Sequence, residues 1–216
     1  MTAHLGTPAH DAIALLLRIR VIPVVVLNDA NDAAPLGAAL QAGGLPLAEV
    51  TLRTAAAIES LRILSSNPNI IAGAGTVITA DQVDSAVDAG ARFIVSPGFS
   101  EAVIERAREH AVPVIPGVAT ATELIRVVAL GIDLVKFFPA IPLGEIPAIQ
   151  ALSSAFPGVR FVPTGGVSEQ NAVQFLAIDS VVAVGGSWMV PSRLISAGDF
   201  AGVQRLAREA TELTST

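Results

Sequence analysis

One lysine occurs in the 216 residues, and it lies within the apolar run 134–139 as Lys136. The other twelve of the thirteen basic side chains are arginine. Arginine stays protonated at physiological pH, whereas the amine of a buried lysine can lose its proton and form a Schiff base with a carbonyl. The alternative is compositional drift, which would leave a single lysine whose amine reaches solvent. The residue type and its setting favour imine chemistry at Lys136.

A second polar series, Glu49, Thr51 and Arg53, is interleaved with Val50 and Leu52. A spacing of two places the three polar side chains on one face of a predicted strand. The carboxylate can shuttle protons, and the guanidinium can hold a carboxylate of a ligand in a bidentate grip. The alternative is an internal ion pair between Glu49 and Arg53 that stiffens the fold.

Glycine pairs near the C-terminal part of the chain provide a possible anion site. They are Gly165-Gly166 and Gly185-Gly186, with the hydroxyls of Thr164 and Ser187 beside them. Backbone amides in such loops can cradle a phosphate, although tight turns use glycine pairs too. Thr76 follows another glycine-rich stretch and can either donate to a carboxylate oxygen or cap the next helix.

Short apolar runs alternate with helix-like segments and predict the elements that carry these residues. Segments such as 80–89 and 101–110 have helical apolar spacing and begin after the N-cap candidates Thr79 and Ser100. The eight predicted strands are 21–27, 47–52, 70–74, 93–96, 112–115, 134–138, 160–163 and 181–184.

Eight strand–helix repeats predict a single α/β domain, a (β/α)8 TIM barrel over residues 1–216 with an N-terminal helix at about 8–20. A doubly wound open sheet is the alternative. The barrel is preferred because glycine and proline clusters follow nearly every strand, and in a barrel they all lie on the rim where this fold carries its chemistry. The two glycine pairs then fall in the loops after strands seven and eight, the usual phosphate position.

Composition limits the possible partners. The chain has 52% apolar residues, a net charge of −6 and no cysteine, and its histidines are His4, His10 and His110. Disulfides and thiolate metal sites are therefore excluded, and scattered histidines do not predict a zinc site. Without basic clusters, nucleic acid and anionic membranes are not expected partners. The start of the chain fits an amphipathic helix better than a signal sequence, so we expect a cytoplasmic protein.

Six motifs, in order from about Val21 onwards, resemble the KDPG/KHG aldolases, a family of bacterial 2-keto-3-deoxy-6-phosphogluconate aldolases. The motifs are E-V-T-L-R-T at 49–54, G-A-G-T-V at 73–77, S-P-G at 96–98, V-K-F-F-P-A at 135–140, P-T-G-G-V at 163–167 and G-G-S-W at 185–188.

The resemblance implies a role for each matching residue. Lys136 would form the Schiff base with pyruvate, Glu49 would act as acid and base, and Arg53 and Thr76 would contact the pyruvoyl carboxylate. Pro97 and Phe138 would shape the pocket. The phosphate end would be lined by Thr164, Gly165, Gly166, Gly185, Gly186 and Ser187. Enzymes of this family are class I (β/α)8 barrels, typically trimers, which act on small molecules without a metal or cofactor.

Two departures from the family pattern bear on the substrate. Ile146-Pro147-Ala148-Ile149 replaces a segment in which a lysine is common, and the first strand ends in Leu27-Asn28-Asp29 instead of a basic residue. Thr164 and the G-G-S-W motif favour the gluconate substrate over its galactonate epimer, with 4-hydroxy-2-oxoglutarate as a possible second substrate. A phosphosugar isomerase or epimerase on the same barrel is a rival function, and a non-catalytic binding barrel is another.

Overall fold

The computed structural model describes residues 8–214. His4 and the predicted domain limits at residues 1 and 216 lie outside these residues. The described part of the chain contains nine short strands: β1 Val21–Val25, β2 Leu47–Thr51, β3 Ile71–Gly75, β4 Ile94–Val95, β5 Val114–Ile115, β6 Gly117–Val118, β7 Leu134–Phe137, β8 Arg160–Pro163 and β9 Val184–Gly186.

Helices alternate with these strands. They are α1 Pro8–Ile19, α2 Ala33–Ala42, α3 Ala57–Ser65, α4 Ala80–Asp88, α5 Glu101–Glu109, α6 Ala121–Ala129, α7 Glu145–Ala155, α8 Ala172–Leu176, α9 Ser192–Ser196 and α10 Phe200–Thr214, and a 3₁₀ turn at Ala30–Asp32 precedes α2. Thr79 and Ser100 cap α4 and α5 by accepting a hydrogen bond from the third residue beyond them, so both N-cap predictions are confirmed. Within the described residues, no helix combines the length and apolar character needed to cross a membrane.

The strands close into a parallel (β/α)8 barrel. β1 pairs with β2 on one side and β9 on the other, and the ladder continues through β3 and β4 to β5. β5 and β6 together make up one barrel strand. The strand is interrupted at Pro116 because proline has no amide hydrogen to donate. β6, β7 and β8 follow, and bridges from Phe161 to Val181 and from Thr164 to Gly185 join β8 to the last strand. The predicted fold class is confirmed.

Alternation along the strands divides the core into two clusters. Val50, Val135 and Phe137 belong to the larger cluster between the barrel and its helices. Leu47 and Leu134 belong to a smaller cluster inside the barrel, which Leu16 of α1 also joins. α1 therefore covers the N-terminal end of the barrel, and the opposite end carries the loops that follow the strands.

Several strand limits differ from the prediction by one to three residues. The last strand, expected at 181–184, is Val184–Gly186, because Gly185 and Gly186 pair with Ile22 and Pro23 of β1. Glycine has low intrinsic strand propensity, so this pairing is visible only when the partner strand is known. The second strand ends at Thr51 instead of Leu52, which changes the position of Arg53.

A surface ion-pair cluster joins α4 to α5. Arg106 of α5 holds Asp84 of α4 through two hydrogen bonds of 2.7 and 2.8 Å, and His110 Nε2 lies 2.6 Å from the same carboxylate. The hydrogen bonds from Arg106, followed by that from His110, lower the pKa of Asp84 below its ordinary value. The folded state therefore favours the ionised carboxylate.

We predict that Asp84→Asn lowers the melting temperature at neutral pH. A carboxyl whose pKa is depressed by folding stabilises the protein above its unfolded-state pKa of about 3.9, and this contribution disappears as the pH falls through the folded-state value. Thermal melts of wild type and variant should therefore converge as the pH drops below about 4. Asp88→Asn, an exposed change on the same helix, is the control and should not lower the melting temperature. A difference between Asp84→Asn and wild type that does not change with pH would contradict the prediction.

Candidate active site

Lys136 and Glu49 meet inside the barrel. The Lys136 amine donates to Glu49 Oε1 at 3.0 Å, and the two side chains are only 7% and 2% exposed. The amine also lies 5.4 Å from the centroid of the Phe138 ring, within the range of a cation–π contact. The single lysine of the chain is therefore buried, and its amine has a carboxylate as its direct partner.

The fold brings the two side chains together from opposite sides of the barrel. Lys136 is the third residue of β7, and Glu49 is the third residue of β2, four strands away in either direction around the barrel. Leu134, which shares the inward face of β7, belongs to the inner apolar cluster. Both polar side chains point into the barrel from positions nearer its C-terminal rim.

Glycines at inward positions provide the space for these side chains. A Cβ at Gly75 would contact the carboxylate of Glu49, with Glu49 Cγ at 2.6 Å and Cδ at 2.8 Å. At Gly73 a Cβ would meet the ring of Phe93, and at Gly117 it would meet the backbone of Pro97. These wall positions of the barrel therefore carry no side chains of their own, and groups from neighbouring strands occupy the space beside them.

Arg53 lies beyond the strand that carries Glu49 and Thr51, so strand alternation does not determine where its side chain points. β2 ends at Thr51, whose hydroxyl donates to Val25 O at 2.9 Å, and Arg53 lies in the following turn with an exposed side chain. The alternative ion pair between Glu49 and Arg53 is also absent, because Lys136 is the charged partner of Glu49. A hydrogen bond from Leu52 N to Gly75 O anchors the turn. Arg53 is consequently a cation at the rim.

Thr76, Pro97 and Phe138 lie just after three of the barrel strands. Thr76 follows β3 and has a left-handed backbone with φ of 59°. It is not the cap of α4, because Thr79 has that role. Pro97 and Phe138 are half-buried residues close to the ends of β4 and β7. The structure therefore places all three on the C-terminal rim of the barrel, the end nearer to Lys136 and Glu49.

The loops after β8 and β9 adjoin one another. Gly165 and Gly166 both have left-handed backbones, with φ of 95° and 86°. Thr164 bridges to Gly185, where a Cβ would collide with the Thr164 hydroxyl. Within residues 8–214, the amide of Gly166 donates to no other group. Ser187 is exposed at the end of β9.

The rim thus combines a buried amine, a carboxylate, an exposed guanidinium and two adjacent glycine loops. An amine beside a proton acceptor suits attack on a carbonyl, whereas the cation and the loop amides suit anionic groups. Among the described residues, no three histidine or carboxylate side chains group as a metal site. The fold and the site define a (β/α)8 barrel whose reactive groups are an amine and a carboxylate at the C-terminal ends of its strands.

Comparison with known proteins identifies the family. A family model for KDPG and KHG aldolase matches residues 13–206. A 2-dehydro-3-deoxy-phosphogluconate aldolase from Treponema pallidum (strain Nichols) is 46% identical over 92% of this chain and 95% of its own length. The KHG/KDPG aldolase of Escherichia coli (strain K12) is 43% identical over 89% of this chain and 91% of its own length. The chain belongs to the KDPG/KHG aldolase family.

A solved structure gives the same result. KDPG aldolase from Legionella pneumophila, with pyruvate captured at low pH as a covalent carbinolamine intermediate, superposes with a TM-score of 0.88 at 41% identity, covering 94% of this chain and 97% of that one. The resemblance inferred from the six sequence motifs is therefore confirmed at the level of family and fold.

Sequence reasoning missed the residues that make room for the site. Gly75 and Gly117 carry no reactive group, and their importance lies in what contacts them from neighbouring strands. Glycine at alternate positions 73 and 75 of a strand was the available signal, because glycine within a strand often marks a close approach of another group. Ser96, which is fully buried just after β4, belongs to the S-P-G motif, but nothing in that motif indicates the hydrogen bonds its hydroxyl makes.

We predict that Gly75→Ala displaces the Glu49 carboxylate and breaks its contact with Lys136. The added Cβ would occupy the space of the carboxylate, and overpacking of this kind typically costs about 1–3 kcal/mol. A crystal structure of the variant should show the distance from Lys136 Nζ to the nearest Glu49 oxygen lengthened beyond hydrogen-bonding range.

Gly158→Ala is the matched control. A Cβ at Gly158 would meet nothing within 4 Å, so the same substitution there should leave the contact between Lys136 and Glu49 intact. An unchanged contact in Gly75→Ala would mean that the carboxylate does not depend on the missing side chain.

Proposed function

We propose that the protein is a class I aldolase that cleaves 2-dehydro-3-deoxy-6-phosphogluconate to pyruvate and glyceraldehyde 3-phosphate. The observation that carries this proposal is the buried contact of 3.0 Å between Lys136 Nζ and Glu49 Oε1. It supplies a nucleophilic amine and a proton acceptor at one point of an apolar barrel. The covalent carbinolamine in the Legionella pneumophila structure supports amine chemistry in this family.

In the proposed mechanism, the unprotonated amine of Lys136 attacks the keto carbon of the substrate. The carbinolamine loses water and becomes a protonated imine, which accepts the electron pair of the C3–C4 bond. Glu49 fits the accompanying proton transfers because its carboxylate already contacts the amine in the free protein.

Glu49 then takes the proton of the C4 hydroxyl as the C3–C4 bond breaks, and glyceraldehyde 3-phosphate leaves. The enamine that remains on Lys136 receives a proton at C3, and hydrolysis of the resulting imine releases pyruvate. The carboxylate is therefore a base in the cleavage and an acid in the protonation. A single group can do both because the second transfer returns the proton that the first removed.

Other rim residues would hold the two anionic ends of the substrate. Arg53 and Thr76 fit the carboxylate, because a guanidinium and a hydroxyl on adjacent loops can donate to its oxygens. Pro97 and Phe138 would border the reacting carbons. At the phosphate end, the loops Thr164–Gly166 and Gly185–Ser187 offer backbone amides and hydroxyls.

The remaining features of the proposal follow from the family. We infer a homotrimer acting in the cytoplasm on phosphorylated sugar acids, in the reaction of the Entner–Doudoroff pathway, without metal or cofactor. The Escherichia coli relative is named a KHG/KDPG aldolase, which supports 4-hydroxy-2-oxoglutarate as a second substrate here.

Incubation with pyruvate and sodium borohydride tests the Schiff base directly. The wild-type protein should gain one reduced three-carbon unit, which peptide mass mapping should locate at Lys136, because the chain has no other lysine. Lys136→Arg should gain none at this position, since a guanidinium stays protonated at physiological pH and is not a nucleophile. Melting temperatures of both proteins establish that the variant is folded.

Glu49→Gln separates the proton transfers from imine formation. It should still trap pyruvate at Lys136 but lose about 10²- to 10⁴-fold in the rate of cleavage, the usual contribution of a positioned general acid or base. Near-normal turnover in this variant would remove Glu49 from the mechanism. Absence of the adduct in wild type would remove the aldolase proposal.

Substrate preference is measured by pyruvate release from the gluconate and galactonate phosphates side by side. We predict a higher kcat/KM for the gluconate compound, because the T-G-G and G-G-S-W loops match the gluconate branch of the family. Equal values would contradict the predicted preference, and reversed values would assign the protein to the galactonate branch; neither would affect the Schiff-base chemistry.

A further inference from the structure

Ser96 lies between the end of β4 and the Pro97–Gly98 segment, and nothing in its residue type indicates a reactive role. We propose that Ser96 is a positioning residue, which holds Pro97 and Gly98 against Gly117 and thereby fixes the barrel wall beside Lys136. The inference rests on the proposed Schiff-base function, because the wall matters only if Lys136 carries the reacting group.

The Ser96 hydroxyl has two partners from different elements. The side chain is 1% exposed, and its Oγ donates to Gly98 O at 2.8 Å. The same oxygen accepts a hydrogen bond from Gly117 N at 3.4 Å. One donor and one acceptor position of the hydroxyl are thus both used, which ties the loop after β4 to the start of β6.

The second of these bonds replaces a strand-to-strand hydrogen bond. β4 ends at Val95, and the next ladder bond, from Ser96 N to Ile115 O, is already 3.4 Å long. Beyond it, the buried amide of Gly117 donates to the Ser96 side chain instead of to a carbonyl of the neighbouring strand. A buried amide without an acceptor would cost folding free energy. The Ser96 hydroxyl therefore stabilises the barrel where the strand is interrupted at Pro116.

Gly117 connects this arrangement to the site. It is the register partner of Lys136, so its backbone forms the barrel wall directly beside the lysine. A Cβ at Gly117 would collide with the Pro97 carbonyl group and lie about as close to Gly98 N. The Pro97–Gly98 backbone therefore rests on Gly117, and the Ser96 hydroxyl bonds to residues on both sides of that contact.

A wall fixed in this way should act on the reacting carbons more than on the anionic ends. Arg53 follows β2 and the glycine loops follow β8 and β9, so the groups proposed to bind the carboxylate and phosphate belong to other strands. A small displacement of groups around a reaction centre can reduce rates by about 10²-fold. Loss of the Ser96 hydroxyl should consequently lower kcat with little change in KM.

The experiment compares Ser96→Ala with Ser60→Ala. Ser60 is a matched control, since it is fully buried in α3 and its hydroxyl donates to Ala56 O at 2.8 Å. We expect Ser96→Ala to lower kcat by about 10- to 100-fold and to slow borohydride trapping of pyruvate, with KM within about threefold of wild type. Ser60→Ala should keep wild-type kcat and trapping, whatever its effect on the melting temperature.

Gly117→Ala is the second variant, and it keeps the Ser96 hydroxyl while pushing Pro97 away. It should reproduce the lowered kcat, so the inference remains testable if Ser96→Ala does not fold. A folded Ser96→Ala with wild-type kcat and trapping rate would overturn the role of Ser96 as a positioning residue, and a folded Gly117→Ala with both unchanged would overturn the premise that the Pro97–Gly98 wall affects the reaction. Failure of wild type itself to trap pyruvate would instead overturn the proposed function, which keeps the two failures distinct.

Discussion

The buried contact between Lys136 and Glu49 is the interaction that the barrel around it must accommodate. Taking an ammonium and a carboxylate out of water costs several kcal/mol per ion, and their attraction offsets this only when both are closely paired. Here the two side chains lie 3.0 Å apart and almost without exposure. Neither residue can change alone without leaving an unpaired charge in an apolar interior.

The barrel accommodates the pair by dividing its interior along the axis. Towards the N-terminal end, Leu47, Phe93 and Leu134 fill the inside, and Leu16 of α1 packs with them. Towards the C-terminal end, Gly73, Gly75 and Gly117 take the wall positions, and larger side chains from neighbouring strands use the space they leave. Apolar packing inside the barrel is thus concentrated towards one end, while the other end accommodates the polar pair.

How far the sequence predicts the site depends on whether a residue acts by its own chemistry or through a neighbour. Lys136 and Glu49 can be found because their types and spacing are unusual in apolar runs. Period-two alternation does not extend to Arg53, because β2 ends at Thr51 and a turn begins there. Strand ends depend on which backbone groups find partners on the adjacent strand, and a single strand does not contain that information.

Ser96, Gly75 and Gly117 belong to the second kind of residue. The role of Ser96 depends on the amide of Gly117, 21 residues further along the chain, which donates to its hydroxyl. The role of Gly75 depends on the Glu49 carboxylate of the preceding strand, which occupies the space of a Cβ. Such relations arise from register, and a shift of one residue in pairing would abolish them. The chemistry of the site is therefore readable in the sequence, whereas the geometry that positions it requires the folded barrel.

The net charge of −6 does not favour binding of an anionic substrate, so the rim must supply local positive charge or hydrogen-bond donors. Part of the acidic surface is neutralised in place, for example where Asp84 binds Arg106 and Asp133 binds Arg160. Arg53, by contrast, has no ion-pair partner among residues 8–214. At physiological ionic strength, charges separated by more than about 8 Å are largely screened. The local cation and the loop amides, more than the net charge, therefore govern how an anion meets the site.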